Sequence, residues 1–132
     1  MAWAYNGTVY TSLRYAPGYN VPVVYTGNAT LTQISSKVDA SSFEVIYRCQ
    51  GCFSWNQAGS SQSVSTSSKL FILGHAAAKG DLHNPTCPDK AFFGFHNNGF
   101  GQYGAPLDNA PNAKYAEWAK LATKTPTADC TK

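Results

Sequence analysis

Residues 2–15 read Ala2-Trp3-Ala4-Tyr5-Asn6-Gly7-Thr8-Val9-Tyr10-Thr11-Ser12-Leu13-Arg14-Tyr15. Two segments rich in aromatic and β-branched residues flank the pair Asn6-Gly7. A two-residue type I′ hairpin turn needs positive φ at both central residues, and Asn-Gly tolerates this best. The stretch therefore predicts an antiparallel hairpin, residues 2–5 against residues 8–15.

Outward from this hairpin the chain keeps a β pattern. Ala16-Pro17-Gly18-Tyr19-Asn20 breaks the second strand, residues 21–26 are extended, and Gly27-Asn28 turns into a strand at 29–35. A loop at 37–42 leads to a strand at 43–49, where Phe43, Val45 and Tyr47 alternate with Glu44, Ile46 and Arg48. Residues 57–68, Ser-rich around Gly59, read as an exposed loop. Residues 69–75 hold the apolar run Leu70-Phe71-Ile72-Leu73, a buried strand. A long loop at 79–90, a short strand at 92–95 and a Gly/Asn-rich stretch at 97–104 follow. The sole helical pattern spans 112–123, with Asn112 as cap and Tyr115, Trp118, Ala119 and Ala122 on one face.

Composition agrees. The 132 residues suit one domain. Charged residues are 13%, about half the usual ~25%, too few for the wet faces of a helical protein. Aromatics at 14% fit a pleated, half-buried surface. The net charge of +3 comes from scattered lysines and only two arginines, so nucleic-acid binding, which needs a basic stripe, is excluded. No apolar run approaches the ~20 residues that cross a bilayer. Asn6-Gly7-Thr8 and Asn28-Ala29-Thr30 are glycosylation acceptors, while Met1 leads straight into the first strand with no leader. The expectation is the mature part of a secreted protein.

Cys49-Gln50-Gly51-Cys52 admits three readings. A thioredoxin-like redox pair needs a helix N-terminus, and here the motif ends a strand. A zinc site would take Cys49 and Cys52 with His83 and Cys87. An even cysteine count in a secreted chain favours disulfides, and the pairing expected is Cys49–Cys52 and Cys87–Cys130, with no metal. No Gly-x-Ser-x-Gly elbow, His-Glu-x-x-His pair or recognisable carboxylate pair supports a hydrolase. His75 reads as a rim residue at a strand end, and His83 as a solvated loop residue. Sugar rings stack on aromatic faces, so Tyr5, Tyr10, Tyr15, Tyr19, Trp55 and Tyr103 are candidate glycan platforms.

Several stretches carry a family resemblance. Tyr47-Arg48-Cys49-Gln50-Gly51-Cys52 with Trp55-Asn56, Ala2-Trp3-Ala4 before Asn6-Gly7, Arg14-Tyr15-Ala16-Pro17-Gly18-Tyr19, and Tyr25-Thr26-Gly27-Asn28-Ala29-Thr30-Leu31-Thr32 occur in the same order and spacing. Together they resemble the haem-carrying cytochrome domain of fungal cellobiose dehydrogenase, a DOMON-like family of secreted sandwiches. The resemblance runs to about Ala110 and implies a shortened antiparallel β-sandwich, 1–110, with a helical tail, 111–132, in one domain, 1–132. It places His96 on the axial His and Tyr19 on a Tyr that bonds a haem propionate. The family's axial Met would lie upstream of Ala2, and Met1 would stand in the wrong place, on the first strand. Strands that close the family's sandwich would be missing too.

The expectation from these readings is a small secreted fungal protein, non-enzymatic and without a cofactor, whose haem ligation is incomplete and which binds a glycan or a protein partner. The alternative is a haem b electron-transfer domain using His96 and an unidentified second ligand. No nucleic-acid or membrane partner is expected. An uncovered face beside the apolar first strand, which has neither Lys nor Pro to blunt its edge, points to a homodimer.

Overall fold

The computed structural model describes residues 1–131; Lys132, the last residue of the 1–132 domain and of the 111–132 tail, lies outside the described residues. The N-terminal hairpin forms as read. Strand β1 (Ala2–Tyr5) pairs with β2 (Thr8–Thr11) so that Trp3 faces Tyr10 and Ala4 faces Val9. Asn6 and Gly7 hold φ of 47° and 75°, the two positive values that a type I′ turn requires. Residues 8–15 do not form one strand, since Ser12 and Leu13 interrupt the ladder before β3 (Arg14–Tyr15). Of residues 21–26 only β4 (Val23–Val24) is strand, paired with β3. Pro22 just before it has no N–H to donate to a ladder.

The longest ribbon joins β5 (Thr30–Val38) to β6 (Phe43–Gln50), with a bulge between Gln33 and Ser35. The loop expected at 37–42 shrinks to its last residues because β5 runs on to Val38. The Ser-rich segment is a hairpin rather than a loop: β7 (Ser54–Gln57) pairs with β8 (Ser60–Ser63) across Ala58 and Gly59, at φ 54° and 76°. That turn repeats the backbone geometry of the first hairpin with a less telling residue at its first position. Strand β9 (Leu70–Ala76) pairs with β12 (Phe100–Pro106), which replaces much of the Gly/Asn-rich stretch. The excursion between them carries the short ribbon β10 (Leu82–His83) with β11 (Phe92–Phe93).

A 3₁₀ turn at Leu107–Asn109 precedes helix α1 (Tyr115–Lys120), shorter than the 112–123 expected. Asn112 accepts a bond from the Lys114 N–H at 2.9 Å and so shapes the approach, but it does not cap the helix. Tyr115 and Trp118 remain exposed, so the helix buries little of its aromatic face. The tail is fastened after the helix instead. Lys124 and Gln33 exchange both backbone hydrogen bonds, at 2.9 and 3.0 Å, in an antiparallel bridge on β5. Further on, Cys130 is bonded to Cys87, and Asp129 donates its N–H to the Thr86 carbonyl at 2.8 Å.

The core is narrow. Trp3 and Tyr10 stack at 5.8 Å between ring centroids, with Ala91 buried against them and Leu82 and Met1 at the margin. Gln33, also buried, donates its amide to the Val9 carbonyl at 3.0 Å and so seats β5 against β2. All sheets among the described residues are two-stranded, so each ribbon has open edges. The accessible surface is 9510 Å². A compact monomer of 14.2 kDa exposes about 6,800 Å². The excess falls on large apolar side chains such as Leu70, Ile72 and Phe100, which share one face of the β9–β12 ribbon.

Two outcomes are expected from this architecture. Replacing Cys87 and Cys130 by Ala should lower stability in urea unfolding by ~4 kcal/mol, against ~2 kcal/mol for the Cys49–Cys52 bridge, because the longer loop loses more entropy when crosslinked. Light scattering across a dilution series should return masses above 14.2 kDa at micromolar concentration, since the exposed apolar face exceeds what a monomer usually carries. A constant monomer mass would show that this exposed face does not drive self-association.

Candidate functional site

Arg14 organises the region around the core. From β3 its guanidinium donates to Ser12 Oγ at 2.9 Å, to the Ala91 carbonyl at 2.8 Å and to the Pro88 carbonyl, with a longer bond of 3.4 Å to the Pro22 carbonyl. Partial burial lowers its pKa and Asp89 opposes that shift, yet a guanidinium stays charged at neutral pH. Nearby, the Met1 amine donates to the Ser12 carbonyl at 2.8 Å; burial, and then repulsion from Arg14, lower its pKa. Arg14 thus holds the segment before β11 against the N-terminal strands.

This anchoring places residues 92–96 opposite the 18–22 loop, with a groove of ≈ 480 Å³ between them. Its wall is apolar, formed by Phe92, Phe93, Phe95 and Val21, and both Tyr19 and His96 line it. The two residues assigned to a haem site by resemblance therefore meet in one place. Tyr19 is fully exposed, whereas His96 is half-buried. The His96 ring stacks on Phe95 at 4.1 Å and meets the edge of Phe100 at 5.2 Å. These contacts orient the imidazole but leave its nitrogens without hydrogen bonds among the described residues. Met1 lines the groove as well, although the sequence placed it on the first strand and away from the site.

His96 would be the residue of this groove to hold a haem iron. A neutral imidazole with an uncommitted nitrogen is a haem-iron ligand, and flat apolar walls suit the macrocycle. The sequence signal for His96 was its place in a motif; nothing in the sequence showed that Phe95 and Phe100 would pack the ring, or that Arg14 would anchor the wall.

The other candidates separate. Tyr10 is not a ligand platform: it is a core residue, because the turn register sets it opposite Trp3. Tyr5 lies exposed at the first hairpin's end and Tyr103 exposed on β12, on separate elements. Tyr15 and Trp55 come together in a second groove. His83 stacks on its cross-strand partner Phe92 at 4.4 Å, rather than standing in a loop. His75 is exposed beside Tyr103 at 6.4 Å. Both disulfides form with the expected pairing and use all four cysteines, which removes the thiolates that the zinc reading required, while Cys49 lies in β6 and not at the helix N-terminus that the redox reading required. Asn6 and Asn28, the acceptor asparagines, sit exposed in turns. No helix among the described residues is long and apolar enough to cross a membrane.

An antiparallel β frame with an imidazole-bearing groove walled by aromatics is consistent with an all-β cytochrome domain. The chain belongs to the cytochrome-domain family of cellobiose dehydrogenase, whose family model matches residues 1–117. The cytochrome domain of Myriococcum thermophilum cellobiose dehydrogenase superposes with a TM-score of 0.89 at 46% identity, over 96% of this chain and 61% of that one. The cytochrome b domain of pyranose dehydrogenase from Coprinopsis cinerea gives a TM-score of 0.74 at 25% identity, over 97% of this chain and 64% of that one. A pyrroloquinoline quinone-dependent pyranose dehydrogenase from Coprinopsis cinerea is 27% identical over 128 residues, 96% of this chain but 17% of the relative. The chain thus spans under two thirds of each matched domain and a small part of the full-length relative.

Membership corrects the expectation of no cofactor. Cytochromes are haem proteins, and the two solved structures that this chain resembles are a cytochrome domain and a cytochrome b domain. The expectation rested on finding two iron ligands within these residues, which bears on how iron is ligated and not on whether the domain takes haem.

The Arg14 clamp can be tested directly. Arg14→Ala should cost about 2–3 kcal/mol in denaturant unfolding, because carbonyls lose charge-assisted bonds in a partly buried setting. Arg14→Lys should recover less than half of that, since an ammonium cannot span the fork of acceptors.

Proposed function

We propose that the chain is a secreted fungal haem b module for electron transfer, with no catalytic chemistry of its own, in which His96 is a protein ligand to iron. The supporting observation is the half-buried, uncommitted His96 imidazole in the aromatic groove. Bound haem b supplies one-electron redox chemistry. The chain's own residues do the rest. Phe95 and Phe100 fix the imidazole plane, the Phe92–Phe93 segment keeps water from one side, and Tyr19 offers a hydroxyl at the exposed rim. The acceptor sites at Asn6 and Asn28 and the two disulfides support secretion.

Haem titration followed by absorption spectroscopy tests this reading. One equivalent should bind and move the Soret band away from that of free haem. His96→Ala should weaken haem binding at least about tenfold, and Met1→Leu should leave the spectrum unchanged. A low-spin spectrum that is lost in Met1→Leu would instead assign that thioether to the second axial position. A Soret band that stays that of free haem at one equivalent would overturn the reading.

A further inference from the structure

A second groove, of ≈ 470 Å³, lies between the β3–β4 ribbon and the β7–β8 hairpin and shares no lining residue with the His96 groove. We infer that it is a binding site for a neutral sugar ring, with Trp55 and Tyr15 as stacking faces and Gln62 and Ser60 as hydroxyl partners.

The construction starts from register. Trp55 pairs with Gln62, and Gln57 with Ser60, so all four side chains share one face of the hairpin. Gln57 is spent on tethering: its carbonyl accepts the Thr26 N–H at 2.9 Å and its amide donates to the Val24 carbonyl at 3.0 Å. These two bonds hold the hairpin face across from Tyr15 and Tyr25 and set the groove's width. Cys52 lines the groove beside them, fixed by its bridge to Cys49. Gln62 and Ser60, in contrast, have no side-chain hydrogen bonds among the described residues and remain available. The hydroxyl of Tyr25, a lining residue, is buried without a partner.

Charge narrows the ligand. No carboxylate lines the groove, which disfavours cations. Its one cation, Arg14, is committed to Ser12 and to backbone carbonyls, which leaves nothing to recognise an anion. What remains is aromatic faces beside an amide and hydroxyls. That chemistry matches a pyranose, which offers C–H faces to aromatic rings and hydroxyls to uncharged donors and acceptors. The inference rests on this groove alone and does not depend on haem binding.

The test is an NMR titration of the whole chain with cellotriose, and separately with glucuronate as an anionic probe. Cellotriose should shift the Trp55 indole N–H and the Gln62 side-chain amide with a Kd of about 1–10 mM, while the Trp118 indole stays still. Gln62→Ala and Trp55→Phe should each raise that Kd at least about threefold. The Gln62 and Ser60 side chains are not used in the fold, so Gln62→Ala and Ser60→Ala decide the matter should Trp55→Phe not fold. No movement at about 20 mM cellotriose, an unchanged Kd in Gln62→Ala, or tighter binding of glucuronate would each overturn the assignment.

Discussion

The Arg14 guanidinium reaches Ser12 beside it, Pro22 beyond the next turn, and Pro88 and Ala91 far along the chain. Its bonds end mainly on carbonyl oxygens that no ladder satisfies, and a buried carbonyl without a donor is costly. One side chain therefore serves the N-terminal strands and the segment before β11 together. The Trp3–Tyr10 stack packs on Ala91, whose carbonyl Arg14 holds, so the apolar core and the polar clamp locate the same stretch of chain. The wall bearing His96 follows directly from it. In a molecule of two-stranded ribbons, such cross-links do the work that wide sheets do elsewhere.

How far the fold was legible depended on turn chemistry. Asn6-Gly7 announces its turn because both residues tolerate positive φ. Ala58-Gly59 takes the same conformation, but Ala carries no such signal, and its serine flanks suggest solvent rather than strand. Strand β12 was hidden for a different reason. Gly101 and Gly104 lower β propensity, yet they are where the partner strand's His75 and Leu70 side chains lean across, leaving little room for a Cβ. The short helix was overextended because periodicity reports a face, not whether anything covers it.

The site was legible in part. Family motifs picked out Tyr19 and His96, and the structure sets them on one groove. Tyr10 could have been assigned to the core from the sequence alone: once the turn at Asn6-Gly7 is fixed, counting outward pairs Tyr10 with Trp3. Composition could not show which tyrosines meet. Tyr15 and Trp55 are brought together by Gln57, whose two bonds to the Val24–Thr26 backbone have no sequence signature. The expectation of no cofactor leaned on a second ligand and a covering wall that the resemblance places upstream of these residues, although one imidazole can hold haem.

The split of β9 from β12 by the 77–99 excursion bears on the order in which the molecule assembles. The ribbons β1–β2, β5–β6 and β7–β8 close over short turns, and hairpins of this kind form in roughly 1–10 μs. The β9–β12 ladder must instead close a long loop before any of its bonds can form, and non-local pairings slow the search. The Lys124 bridge to Gln33 comes from further still. Early hairpins with a later β9–β12 ribbon would leave Leu70–Ala76 as an apolar strand waiting for its mate. During that interval the chain is most open to mispairing.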